Sequence, residues 1–536
     1  MAVMFNQPRF TSNPSSHTFA KAPSLAIPRN AYDRSYVKKT TFNAGKLIPF
    51  HVDEVYPGDV VNLGVDGLIR TSTFLFPIMD YLYISYRFFF VPNRILQTNW
   101  VKMCGEQEDP TDPVNFTAPK ISGLTAQTGD IADMMGIPTL TPNELNRVNA
   151  YPFRAYNLII NTYYRDQNAD PSLSVLLNDG PDPYNTYTLF NVRKSHDYFT
   201  SALPFLQKGP AVQIPLGVYA PIVTTNVTPF MRYPTDVGVD HSLKYSLSGA
   251  LTLETPLPPS NEDVVFGSVT GLQADLGAAT AATLPEWRQA ITLQQYYELD
   301  ARSGTRYGEK LRAHWHTAPR DERLQYPEYL GGGVRAINVH AVAQTSGASI
   351  TGETTVPASL SAFGTSIVDG LGCTYTVEEF GFIIGLCAVH SAYSYQQGIE
   401  RFWTRTTIFD WYWPIFAQLS EQPIRNEEIY AIGTSGPSTQ DTETFAYQEP
   451  WGDLRYKPNQ VCGLFRSNAM GTLDGWHLGQ DFSALPVWGP TFLEENPPMS
   501  RVLAVADEPN FIAEFVIKNH VARNLPLYGV PGLRRF

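Results

Sequence analysis

KTTFNAGKLIPFHVDEVYPGDVVNLGVDGLIRTSTFLFPIMDYLYISYRFFFVPNRILQTNW, residues Lys39–Trp100, decides the fold. Three apolar runs with β character are separated by turn signals, first Pro57-Gly58-Asp59 and then Pro77 with Asp80. In the last run, Tyr81 to Val91, alternation places Leu82, Ile84, Tyr86, Phe88 and Phe90 on one face. Tyr81, Tyr83, Ser85, Arg87 and Phe89 take the other. Period two with large aromatics predicts a pleated strand with one dry face and one half-buried face. A strand this rich in Phe needs a second sheet to pack against, so the expectation is a β-sandwich.

Composition supports a large loop-rich β protein. The chain has 536 residues with no tandem repeat and no Ser/Gly linker, and Gly (39) and Pro (42) are plentiful. Charged residues make up 17%, against roughly 25% in ordinary domains. Low charge fits a chain with extensive subunit interfaces, whose cores are depleted in charge. The net charge of -12 excludes a chain built throughout to coat nucleic acid. Its distribution is uneven: residues 1–40 hold Arg9, Lys21, Arg29, Arg34, Lys38 and Lys39 against the single acid Asp33, a balance of +5. Four scattered cysteines, Cys104, Cys373, Cys387 and Cys462, read as reduced thiols of a protein assembled in cytoplasm. The first residues, MAVMFNQPRF, do not read as a signal peptide, and no apolar run reaches membrane length.

Taken in order, residues 1–40 are expected to form a basic extended arm. Pro92 opens an expected helix that presents Ile95, Leu96, Trp100 and Met103 and ends at Gly105. Pro152 to Asp166 reads as a second helix and Ala211 to Leu216 as a strand. Residues 218–284 are rich in Thr, Ser, Ala, Val, Gly and Pro and read as an insertion with short strands. Thr283-Leu-Pro-Glu286 is a capping box. The helix after it should present Trp287, Ile291 and Tyr297 and stop near Gly304, with another helix over Thr305 to His316. Gln344 to Thr374 is Ser/Thr/Gly-rich and is expected to be a surface loop or hairpin. Phe380 to Val389 and Thr407 to Phe416 are strand or core candidates. Residues 417–500 read as mostly irregular, and Phe511 to Lys518 as a late strand. The resulting division is arm 1–40, core 41–217, surface insertion 218–284 and core 285–536.

Candidate chemistry is sparse. His314-Trp315-His316 lacks a third ligand, so no metal site is expected. Gly331-Gly332-Gly333 has no following Lys-Ser/Thr and reads as a tight turn or close subunit contact rather than a phosphate loop. Glu378-Glu379 and Glu494-Glu495 are adjacent pairs that point to opposite faces of a strand and read as solvated loop charges, not a glycosidase dyad. Gly-x-Ser-x-Gly does not occur. The aromatic run Trp411-Tyr412-Trp413 reads as core or interface filling, with a sugar-binding platform as the other possibility. No cofactor and no catalytic residue is expected.

Long phrases of the chain resemble the major capsid proteins of the Microviridae, specifically the gokushovirus branch of small single-stranded DNA bacteriophages. They are TTFNAGKLIPFHVDEVYPGD, FPIMD, FFFVPNR and NW…GEQ near the start, then PFRAYNLI (152–159), HDYFTSALPFLQKGPAV (196–212), DARSGTRY (300–307), RLQYPEYLGGG (323–333), YQQGIERFW (395–403), RYKPNQVCGLFRS (455–467), GTLDGWHLGQDFSALP (471–486) and VPGL (530–533). The phrases run from about Ser35 onward and leave 218–284 uncovered. The resemblance implies an eight-stranded antiparallel jelly roll with long loop insertions and a few short helices. It further implies a structural, non-enzymatic subunit of a T=1 icosahedral shell around circular single-stranded DNA, part of a virion assembled in the bacterial cytoplasm. Partners implied are other copies of the chain, a scaffolding protein and a DNA pilot protein. Arg9, Lys21, Arg29, Arg34, Lys38, Lys39, Arg534 and Arg535 are the expected nucleic-acid contacts, and 218–284 is the expected host-receptor contact. The competing reading is a secreted carbohydrate-binding β-sandwich. The missing signal peptide, the missing carboxylate dyad and the basic arm count against it.

Overall fold

The three runs between the turn signals are three strands. The structure, a computed structural model, describes residues 28–528. Exceptions are 108, 140–146, most of 211–283 outside six short strands, 303–324 apart from Glu309 and Ala313, parts of 344–358, and 418, 434–438 and 506. Nine strands build the main sheet. They are β1 (Asn30–Asp33), β2 (Tyr36–Phe42), β3 (Ile48–Val55), β4 (Val60–Thr71), β5 (Leu82–Pro92), β6 (Glu328–Ala343), β7 (Leu360–Thr376), β8 (Gly381–Ser391) and β9 (Phe511–Arg523). Their antiparallel order is β1-β9-β4-β7-β6-β5-β8-β3, with β2 also beside β9.

The sheet folds over on itself at β6. Residues Glu328–Ile337 of that strand pair with β5, and Asn338–Ala343 pair with β7. The two halves then face each other. Phe50 on β3 meets Phe515 on β9 with ring centroids 5.2 Å apart, and Tyr86 on β5 meets the same ring at 6.1 Å. Leu82, Ile84, Tyr86, Phe88 and Phe90 all lie in this core, as their alternation predicts. The expected antiparallel jelly roll is therefore present as one curled sheet.

The opposite face of β5 is drier than the sequence implies. Phe89 is buried in a second core with Val91, with Phe382, Ile384 and Leu386 of β8, and with the helix Tyr151–Ile159, here α1. α1 follows the expectation for Pro152 to Asp166 and continues as a π-helical turn, Ile160–Tyr164. Because β8 is covered on both faces, it reads as an almost unbroken apolar run. A third core collects Tyr198, Phe199, Tyr395, Ile424, Phe445 and Phe492 from the long loops.

Four expectations need correction. The helix after Pro92 is split into a 3-10 turn, Asn93–Ile95, and one α turn, Trp100–Met103. Tertiary hydrogen bonds interrupt it: Thr98 N donates to Leu177 O at 2.9 Å, and Asn99 Nδ2 to Asp179 Oδ2 at 3.0 Å. Gln344–Thr374 is a hairpin only in its first half, where Ser349–Ile350 pairs with Glu353–Thr354; residues 360–374 belong to the seventeen-residue β7. Its buried positions are Ala362, Gly364, Ser366 and Val368, small residues that conceal the strand's alternation. A Cβ on Gly364 would stand 2.8 Å from Thr71 and 2.9 Å from Ile337, so the interior of the fold has no room for larger ones. Thr407–Phe416 is neither strand nor core. It forms exposed 3-10 turns, Ile408–Asp410 and Pro414–Phe416. Gly331–Gly333 is not a turn but lies within β6, beside a register shift against β5.

Phe205–Thr317 forms a second compact unit. Its described strands make a four-stranded antiparallel sheet, ordered Leu251–Leu253, His241–Tyr245, Phe230–Arg232 and Val265–Phe266. Ile222–Thr224 pairs with Leu272–Ala274. The segment 218–284 falls inside this unit, followed by the helix Leu284–Arg302, here α2. On α2, Trp287 and Ile291 are exposed rather than buried. The expected strand at Ala211–Leu216, the cap residue Thr283 and most of Thr305–His316 lie outside the described residues.

Candidate nucleic-acid interface

Of the eight cations expected to meet nucleic acid, four are described: Arg29, Arg34, Lys38 and Lys39. Arg9, Lys21, Arg534 and Arg535 lie outside the described residues. The four sit where the basic stretch joins the sheet, because β1 and β2 pair in tandem along one edge of β9. Residues 30–40 are thus part of the curled sheet rather than a free extension.

Their surroundings differ. Arg29 is exposed, and its Nη2 donates to Gly58 O at 2.7 Å and to Ala522 O at 3.4 Å. Arg34, in the link between β1 and β2, pairs with Asp53 at 2.8 Å. Asn519 Nδ2 donates to the same carboxylate at 2.7 Å. Lys38 and Lys39 are neighbours on a strand and point to opposite faces. Lys38 Nζ turns inward, donating to Pro49 O at 3.1 Å and to the carbonyl of Met134 in the short helix Ile131–Met135. Burial pulls its ammonium down to about 8. A cation at the C-terminal end of a helix is well placed electrostatically, so Lys38 braces the helix to β2 and β3. Lys39 faces outward and is exposed, across from Glu514 in the strand register.

A groove of about 580 Å³ runs beside this edge, lined by Lys39, Thr41, Leu68, Arg70, Ile512 and Glu514 among others. Two cations on this outer face escaped the sequence reading. The Arg70 guanidinium lies 5.0 Å from the centre of the Phe363 ring. Lys518 pairs with Asp66, and its hydrogen bond holds that carboxyl below the usual range. Only the pairing of β4 with β7 and β9 brings these residues together, and nothing local marks them. The described outer face is mixed in sign, so a uniform phosphate-binding surface is not present among the described residues.

The acidic pairs correct one reading. Glu495 is buried, not solvated, and accepts from Ser391 N at 2.9 Å and Ser391 Oγ at 3.2 Å. Glu494 pairs with Arg193 at 3.3 Å, and Glu379 holds Arg94 through two hydrogen bonds of 3.0 and 3.1 Å. These carboxylates fasten loops to the sheet.

Comparison with known proteins gives a full-length match. The profile of the capsid protein (F protein) family matches residues 20–533. Capsid protein VP1 of Bdellovibrio phage phiMH2K is 39% identical, over 97% of this chain and 98% of its own length. Capsid protein VP1 of Chlamydia phage 1 is 37% identical, with 96% and 98% covered. Capsid protein VP1 of Spiroplasma virus 4 is 34% identical, with 97% and 98% covered.

Proposed function

Since this chain belongs to the capsid protein (F protein) family, as its gokushovirus-like phrases led one to expect, we propose that it is the major capsid protein of a small bacteriophage, closing as a T=1 icosahedral shell around circular single-stranded DNA. The observation that carries the reading is the match to three capsid proteins along nearly the whole of each chain. It is a structural protein of the virion and not an enzyme. Assembly takes place in the host cytoplasm with a scaffolding protein and a DNA pilot protein.

The chemistry of the parts supports this division of labour. Heterologous contacts that close under a point group reinforce one another, so loops of modest individual affinity suffice to build a shell. The basic arm contacts DNA phosphates on the inner wall through Arg9, Lys21, Arg29 and Lys39, with Arg534 and Arg535, since scattered cations serve a sequence-independent contact. Arg34 and Lys38 act in the same arm by fixing its root on the sheet. The segment 218–284 carries a net charge of -4, a poor sign for lining a DNA cavity, and serves as the outward, host-binding protrusion.

The test is rate-zonal sedimentation and electron microscopy of the protein produced together with the other phage proteins. Fast-sedimenting icosahedral particles holding nuclease-resistant circular single-stranded DNA are expected. Protein confined to monomer or dimer fractions would overturn the proposal. Charge removal at Arg29 and Lys39 is expected to lower genome retention, most visibly as salt rises; unchanged retention removes the arm's role.

A further inference from the structure

The stretch 402–419 has no place in the core or in the proposed DNA contact, although seven of its eighteen residues are aromatic. It reads FWTRTTIFDWYWPIFAQL. Trp403 is 73% exposed, Phe409 71% and Ile415 85%. Phe402, Trp411, Tyr412 and Trp413 are each about half exposed.

This exposure is built rather than accidental. The loop is held by its own polar groups. Asp410 accepts from Thr406 N, Thr407 N and Thr407 Oγ1 at 3.0, 2.7 and 2.9 Å. Those bonds hold its carboxyl at about 2. Trp413 Nε1 donates to Ile408 O at 3.3 Å. The base is pinned by Trp451, whose Nε1 donates to Phe416 O at 2.9 Å and whose ring meets Tyr412 edge-on at 5.5 Å. Arg405 is tied to Asp453 at the same base. The Asp410 carboxylate and the Trp413 indole N–H are turned to the loop itself, and the side chains of Trp403, Phe409 and Ile415 are turned out.

We propose that this loop is an anchor of the contact between neighbouring copies of this chain, an inference that rests on the capsid reading and locates one of its interfaces. Area is the first reason. An aromatic side chain presents about 150–250 Å², so six that are half to three-quarters exposed offer on the order of 600 Å². Ile408 and Ile415 bring the loop to about 800 Å², close to the roughly 800 Å² each partner contributes to a stable contact. That exceeds the largest apolar patch of a typical monomer, about 300–600 Å². Charge is the second reason. From Thr406 to Leu419 the only residue charged at neutral pH is Asp410, already engaged by its own turn. Interface centres are enriched in Trp, Tyr and Phe and poor in charge. A sugar platform would need polar groups aimed outward beside the rings, whereas the Asp410 carboxylate and the Trp413 indole N–H serve the loop itself. Rigidity is the third reason: a preformed loop loses little conformational freedom on docking.

The experiment compares assembled particles with subunits released from them. Oxidative footprinting is expected to modify Trp403, Phe409 and Trp413 several-fold less in particles than in released subunits. Equal modification overturns the proposal. Trp403→Glu and Phe409→Glu are each expected to keep the near-ultraviolet circular dichroism and melting of the wild-type subunit while yielding no fast-sedimenting shells. Wild-type shell yield from both variants overturns it. So does a variant that assembles fully but no longer adsorbs to cells, which would assign the loop to a host glycan. Should a variant fail to fold, the footprint on wild-type particles decides. Failure of the capsid reading is recognised separately, by the absence of shells from the wild-type chain in the same preparation.

Discussion

At the scale of single residues, Arg154 is a fully buried charged group held by a network of its own. Its guanidinium is fully buried and meets Asp182 through two bonds, Nη2 to Oδ1 at 2.6 Å and Nε to Oδ2 at 2.7 Å. Nη1 also donates to Leu96 O and Asn178 O, and the Tyr187 hydroxyl completes Asp182. Removing one partner strands the other charge, at a cost of about 3–5 kcal/mol. Arg154→Met is therefore expected to lower subunit stability by that order in urea unfolding. Adding Asp182→Asn is expected to recover part of the loss. Full additivity of the two changes would mean the groups are not coupled.

His51 supplies a pH dependence. It is buried in β3 beside the Tyr36 hydroxyl, 2.9 Å from Nδ1. Burial lowers its pKa from 6.5 to about 4, Asp53 opposing the shift and Lys38 and Arg34 adding to it. The unfolded chain takes up a proton near pH 6.5, the folded chain only near 4. This contribution is complete above pH 6.5 and is lost as the pH falls toward 4, with a span of roughly 3 kcal/mol. Unfolding free energy of the subunit is expected to slope down through that window, and His51→Gln to flatten it. An unchanged slope in the variant would place the proton uptake elsewhere.

At the scale of elements, β6 joins the two halves of the sheet, and Gly332 lets its first part lie close against β5. A Cβ there would lie 2.1 Å from Tyr86 O and 3.0 Å from Arg87 Cα, both backbone atoms of β5 that cannot move aside independently. Gly332→Ala is expected to destabilise by about 1–3 kcal/mol, with faster amide exchange along β5 and β6 ahead of β9. Uniform exchange across all three strands would deny the joint any special role. The same elements show what sequence could tell. Period two exposed β5 because its residues are large, and the turn signals set the ends of β3 and β4. β7 stayed hidden because three of its four inward positions are Ala, Gly and Ser. Thr407–Phe416 misled in the opposite direction: its apolar residues have strand composition but serve a surface, and composition does not say which side of the surface a ring occupies.

At the scale of the whole molecule, the family phrases were legible throughout, yet the outer-face cations Arg70 and Lys518 were not, since strands distant in sequence create that face. The segment 218–284 interrupts those phrases without displacing any. Shortening it to a tight turn is expected to leave shells that sediment normally and fail to adsorb to the host. Normal adsorption would remove the receptor role, and loss of assembly would mean that the segment supports the shell itself.

The pairing of β9 also has a consequence in time. β4 is made early, but β9, which covers one of its edges, is made more than four hundred residues later. β1 and β2 wait for the same strand. During synthesis, then, the early strands stay unpaired along that side until translation has passed Arg523. Phe511, Phe515 and Ile517 are missing from the core until that moment. A ribosome that stops early releases a chain with an open edge and an unfilled interior, the kind of exposed edge that invites wrong pairing. Placing the closing strand so late means that a chain cut short before Phe511 lacks both the cover of that edge and the side chains that fill the interior.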